Sequence, residues 1–216
     1  MRAVTMRQYA LLVGLLLCAA ALASAPPRYT CRLTPGPPVR VRVYQEVNGR
    51  KQQVGPEFSY GRKGKMASAA DVDDDGALDL LVLVYKRTRY DPKPAWRPFV
   101  YTLQEGLWFP KWLGSRMGRP LQEAAFVHAL SGVRLLTVEQ FAEGKTGLTV
   151  YHWAGFGFRG EWTGKPSAPM SGLQVEDADG DGVDEVSVIS GGQRRRYVYR
   201  DGGYVPTPPT QTGGPR

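Results

Sequence analysis

Cysteine is almost absent: the 216 residues contain only Cys18 and Cys31. That excludes a disulfide-stapled scaffold and a cysteine-type zinc site. Histidine is equally scarce, with only His128 and His152, and neither G-x-S-x-G nor H-E-x-x-H occurs. The common signatures of serine hydrolases and zinc peptidases are therefore missing. Asn48 is the single asparagine and Ile189 the single isoleucine, a bias that reflects a GC-rich genome and not a function. No segment shows a helical stripe of apolar residues. What is plentiful breaks helices: 26 Gly and 17 Pro make up about a fifth of the chain, against an ordinary ~12%. This composition counts against a helical bundle and favours many short strands joined by turns.

The unbroken apolar run Ala10–Ala23 follows a basic start at Arg2 and Arg7 and precedes Ala23-Ser24-Ala25. It is short for a membrane span, and the three features together read as a secretory signal peptide over 1–25. A lipid anchor on Cys18 fits less well, because Leu17 stands where a small residue is wanted. After cleavage no transmembrane segment is expected, Cys31 is the one remaining thiol, and the protein is expected to be secreted or periplasmic. The formal charge of +8 falls to +6 without Arg2 and Arg7. In an exported chain that basic balance suits anionic glycans or envelope proteins, not nucleic acid. Residues 26–38, rich in proline, read as a flexible leader. Residues 207–216 lack large apolar side chains and read as a disordered tail.

Between these ends the sequence repeats. Asp71-Val-Asp73-Asp-Asp75-Gly76-Ala-Leu-Asp79 leads into Leu80-Leu-Val-Leu-Val84, and Asp177-Ala-Asp179-Gly-Asp181-Gly182-Val-Asp-Glu185 leads into Val186-Ser-Val-Ile189. Both fit D-x-D-x-D-G-x-x-[DE] followed by a strand-like run. Their offset of 106 residues equals two units of about 53, and a degenerate unit without the acidic loop falls between them at Val127–Val138. A partial copy precedes them at Val41-Arg-Val-Tyr44, with a turn at Asn48-Gly49. Tyr44, Tyr101, Tyr151 and Tyr199 punctuate the series. In the first full copy, strands are expected near 66–70, 79–86, 98–103 and 107–112.

Four short antiparallel strands per stacked unit is the blade plan of a β-propeller. The expected fold is all-β: a partial or small propeller-like domain over 39–206, of about three and a half four-stranded blades, with an open end suited to leader or dimer contact. The two acidic loops and the strands they enter resemble the FG-GAP/VCBS repeats of integrin-α-like propellers. The resemblance implies calcium and adhesion-like or carbohydrate-associated partners.

The loop chemistry follows independently from spacing. Calcium takes six to eight oxygens, and carboxylates at alternate positions of a tight loop can converge on it. The expected ligands are Asp71, Asp73, Asp75, the Ala77 carbonyl and Asp79 in the first loop. In the second they are Asp177, Asp179, Asp181, the Val183 carbonyl and Glu185. Gly76 and Gly182 sit at the sharp turn. An EF-hand would need Glu at position twelve and a following helix, whereas Val82 and Val188 stand there inside strand patterns.

Other motifs carry simpler readings. Gly155-Phe-Gly157-Phe-Arg-Gly160 matches a dinucleotide fingerprint but precedes Glu161–Pro166, which cannot be the required helix. Gly144-Lys145-Thr146 lacks the first glycine of a P-loop and reads as a hairpin tip. Trp108, Trp112, Trp153 and Trp162 read as blade packing. The function expected is an exported calcium-binding module with a non-catalytic binding, adhesion or scaffolding role. The alternative is an enzyme acting on extracellular polysaccharide, which would need His128 or His152 in a cleft beside a carboxylate and an arginine.

Overall fold

A computed structural model describes residues 27–89, 91–114 and 117–208. The signal peptide expected over 1–25 and most of the tail lie outside the described residues. Four antiparallel sheets follow one another along the chain and are arranged as the blades of a four-bladed β-propeller. The first blade has three strands, β1 (Tyr29–Thr34), β2 (Val39–Val47) and β3 (Arg50–Tyr60). The second contains β4 (Gly64–Ala70), β5 (Asp79–Lys86), β6 (Ala95–Gln104) and β7 (Leu107–Leu113). The third contains β8 (Leu121–Ala129), β9 (Gly132–Gln140), β10 (Thr146–Trp153) and β11 (Phe158–Thr163). The fourth contains β12 (Met170–Glu176), β13 (Glu185–Ser190), β14 (Gln193–Arg200) and β15 (Gly203–Pro206). A single 3-10 turn at Ala142–Gly144 is the helical structure among the described residues, and no helix there is long and apolar enough to cross a membrane.

The four strands expected in the first full copy correspond to β4–β7, each within a few residues. Asn48-Gly49 joins β2 to β3 with both residues at positive φ, 53° and 71°. That two-residue turn matches the right-handed twist of the flanking strands, and asparagine and glycine tolerate it best. Gly155–Gly160 forms the β10–β11 hairpin, closed by the Ala154 amide donating to the Gly157 carbonyl at 2.8 Å, so no helix N-terminus is available for a phosphate.

One expectation needs correcting. The leader drawn over 26–38 contains a strand, since Tyr29–Thr34 pairs along β2. Its residues alternate: Tyr29, Cys31 and Leu33 pack against the apolar cluster between the first two blades, while Thr30, Arg32 and Thr34 face outward. Burial pushes the Cys31 thiol up to about 12, which keeps it protonated and unreactive at neutral pH.

Tyr101, Tyr151 and Tyr199 lie on the third strands of their blades, and Tyr44 lies on β2. The first blade is therefore the one that lacks its first strand. In the second and fourth blades the acidic loop joins the first strand to the second. The first blade, without that connection, has no place for such a loop, and the third makes the connection with the short turn at Leu130-Ser131.

Three apolar clusters glue the blades in sequence. Leu80, Val82 and Val84 of β5 enter the cluster shared with the first blade, while Leu81 and Leu83 enter the one shared with the third. A strand covered on both faces must be apolar at every position. The third blade repeats this, sending Leu135 to one side and Leu136 and Val138 to the other. The end blades are one-sided. Val39, Val41 and Val43 are buried, but Arg40 and Arg42 between them are exposed. Among the described residues no apolar cluster joins the first blade to the fourth. The tryptophans pack as expected, with Trp108, Trp112, Trp153 and Trp162 each against one of the three clusters.

Candidate metal centre

The two acidic loops fold alike. In the first, the Asp71 carboxylate accepts the amides of Asp75 (3.2 Å) and Gly76 (2.8 Å). In the second, Asp177 accepts those of Gly180 (2.9 Å) and Gly182 (3.2 Å). Asp75 accepts the Ala77 amide at 2.8 Å, as Asp181 accepts that of Val183 at 2.8 Å. The last acid of each loop reaches back to its second residue: Asp79 accepts the Val72 amide at 3.2 Å, and Glu185 that of Ala178 at 2.8 Å. Gly76 and Gly182 have φ of 82° and 90°, a backbone region where a side chain is strained.

This scheme gathers carboxylate oxygens. One oxygen from each of Asp71, Asp73 and Asp79 lies within 4.8 Å of the others, and the same holds for Asp177, Asp179 and Asp181. The donor chemistry, several hard oxygens in a tight loop, fits a divalent cation such as calcium. Asp75 and Glu185 stand outside these two groups. Asp79 is fully buried, and burial pushes its carboxyl up to about 6 against the opposing pull of Lys111.

The cations around the two loops differ. The Lys111 ammonium, on the outermost strand of its blade, contacts Asp73 at 2.5 Å, Asp79 at 2.9 Å and Asp75 at 3.6 Å. Burial lowers the Lys111 pKa, but the hydrogen bonds and charges of Asp73 and Asp79 outweigh it and raise the net value. At the second loop, Arg28 pairs with Asp177 at 2.9 Å and Arg196 with Glu185 at 3.2 Å.

Asp184 was not among the expected ligands, yet it is almost wholly buried and joins three blades. One oxygen accepts the His128 backbone amide at 2.6 Å and lies 3.0 Å from His128 Nδ1. The other accepts Arg28, just before β1. Burial alone would raise this carboxyl, but hydrogen bonds from His128 and Arg28 hold it below the ordinary value. His128, Asp184 and Arg28 thus form the histidine, carboxylate and arginine group required of a catalytic site, and the same contacts clasp three blades together.

His152 has a more open setting. It lines a cleft of about 470 Å³ with Asp73, Asp74, Arg134 and Trp153, and no hydrogen bond links its ring to a carboxylate among the described residues. A larger cleft of about 870 Å³ lies apart from both loops, against Trp96, Arg97, Met117 and Arg119. A second buried acid, Glu139, accepts Tyr151 Oη at 2.5 Å, Thr149 Oγ1 at 3.2 Å and Thr137 Oγ1 at 3.3 Å. Arg119 approaches it at 3.4 Å from the surface. Burial, then the bond to Glu139, pushes the Tyr151 phenol up, so it stays a donor.

No family model matches the chain, and no curated protein matches it in sequence.

Proposed function

We propose that the protein is an exported calcium-binding β-repeat module of the FG-GAP/VCBS type, secreted or periplasmic, with a non-catalytic binding, adhesion or scaffolding role. The observation that carries this is the pair of loops. Two segments 106 residues apart in sequence occupy the same connection of two blades and adopt the same hydrogen-bond scheme. Four or more carboxylates in one short loop repel one another, and calcium, when bound, neutralises that charge and ties the first strand of the blade to the second. Asp177, Asp179 and Asp181 would hold it in the second loop, and Asp71, Asp73 and Asp79 form the matching group in the first. The partner class follows from charge. The outward face of the first blade presents Arg32, Arg40 and Arg42 beside a single pairing acid, Glu57, 2.7 Å from Arg42. Such a surface suits anionic glycans or envelope proteins.

The cleft at His152 supports the second reading, an enzyme acting on extracellular polysaccharide, since it holds a histidine, two aspartates and an arginine. A general base must reach its proton within hydrogen-bond distance and is usually oriented by a partner. The His152 ring has no carboxylate partner among the described residues, and the partner of His128, Asp184, also holds the His128 amide and Arg28 in a contact that ties three blades, so binding is favoured. Incubating the purified protein with uronate- and phosphate-bearing envelope polysaccharides separates the two. The expected result is retention that weakens as salt rises, with polymer length unchanged. New chain ends or shortened polymer would overturn the non-catalytic reading.

A further inference from the structure

We propose that Lys111 is the built-in cation of the first acidic loop, so that the chain takes calcium at the second loop alone. The proposal rests on the calcium reading of that second loop. The Lys111 ammonium hydrogen-bonds Asp73 at 2.5 Å and both oxygens of Asp79 at 2.9 and 3.1 Å. A calcium ion sits about 2.3–2.6 Å from its oxygens, so an ion on Asp73 and Asp79 would coincide with the ammonium. Both cations cannot occupy that space.

Register shows that the second loop has no counterpart of this lysine. In the second blade Leu80 pairs with Tyr101 and Tyr101 with Pro110, and the next residue is Lys111. In the fourth blade Val186 pairs with Tyr197 and Tyr197 with Pro206, and the next residue is Thr207. Thr207 carries no charge and donates its hydroxyl to the Arg196 carbonyl at 3.1 Å.

Displacement also differs between the loops. Lys111 is 12% exposed and Asp79 fully buried, and the ammonium lies 5.8 Å from the Trp153 ring of the neighbouring blade. Withdrawing it would leave a buried carboxylate without its cation, a costly state. Arg28 and Arg196 are 36% and 44% exposed; Arg28 bonds Asp177 and the buried Asp184, Arg196 bonds Glu185, and neither bridges two of the three acids Asp177, Asp179 and Asp181. Asp179 and Asp181 make no ion pair among the described residues and remain available.

Calcium titration calorimetry decides the matter. The wild type is expected to bind one calcium per chain, lost in Asp179→Asn and kept in Asp73→Asn. Lys111→Met, which keeps the stem and removes the charge, is expected to gain a second calcium. Two calcium ions in the wild type, or a single site lost in Asp73→Asn, would overturn the proposal while leaving the calcium reading intact. No calcium in either the wild type or Lys111→Met would sink the calcium reading, and melting in chelator then tests the lysine itself. A Lys111→Met melting point several degrees lower supports its role, and one equal to wild type overturns it. If Lys111→Met folds only with calcium present, that rescue supports the proposal; if it folds in neither condition, the wild-type stoichiometry decides.

Discussion

Replacing Glu139 with alanine is expected to cost about 3–5 kcal/mol of stability, because it strips the acceptor from several buried donors at once. Glu139 is fully buried at the edge of the seam between the second and third blades. Tyr151, Thr137 and Thr149 all direct hydroxyls at it. Thr137 can fall back on the Thr149 carbonyl at 3.2 Å, but Tyr151 and Thr149 have no second acceptor among the described residues. Arg119, 40% exposed, brings a cation to within 3.4 Å of this buried carboxylate from the surface side. For a domain of this size the loss corresponds to a fall of roughly 10 °C or more in melting temperature. Glu139→Gln retains an acceptor oxygen and should fall between the two. A Glu139→Ala protein that melts within 2 °C of wild type would show that the network is not structural.

Asp184→Ala should be nearly as damaging, at about 2–4 kcal/mol, and its effect should be spread over three blades. It removes the acceptor of the His128 amide, at 2.6 Å, and of the His128 ring. It also removes the more buried of the two carboxylates that hold Arg28, the ion-pair link between the start of the first blade and the fourth. No apolar cluster reinforces that seam among the described residues. Hydrogen exchange should therefore show faster exchange at the His128 amide and along β1, with the cluster between the second and third blades unaffected. Unchanged protection at both places would mean that the clasp contributes nothing to holding the ends of the arc together.

Much of this architecture is legible in the sequence, and the reasons are local. The D-x-D-x-D-G loops and the tyrosine spacing locate the blades because each unit must solve the same turn and packing problem. The difference between Leu80-Leu-Val-Leu-Val84 and the alternating Val39-Arg-Val-Arg-Val43 marks blades covered on both faces from those covered on one. The strand Tyr29–Thr34 was hidden because it is short and sits among prolines, so its pairing with β2 outweighs local composition. Lys111, Arg28 and Asp184 were not legible as site neighbours. Lys111 lies 32 residues from Asp79, and Arg28 lies 149 from Asp177. Only blade stacking brings them together.

The account turns on whether calcium contributes folding energy, and melting curves of the wild-type protein in calcium, magnesium or chelator test that directly. If the second loop binds at ~10 µM, then ~1 mM calcium adds about 2.7 kcal/mol, or roughly 5–10 °C for a domain of this size. Magnesium should give a small part of that shift, because its rigid octahedral shell suits a flexible oxygen loop poorly. The account predicts a calcium-dependent rise that vanishes in Asp179→Asn. Equal melting temperatures in calcium and in chelator would contradict it and leave both loops as acidic turns.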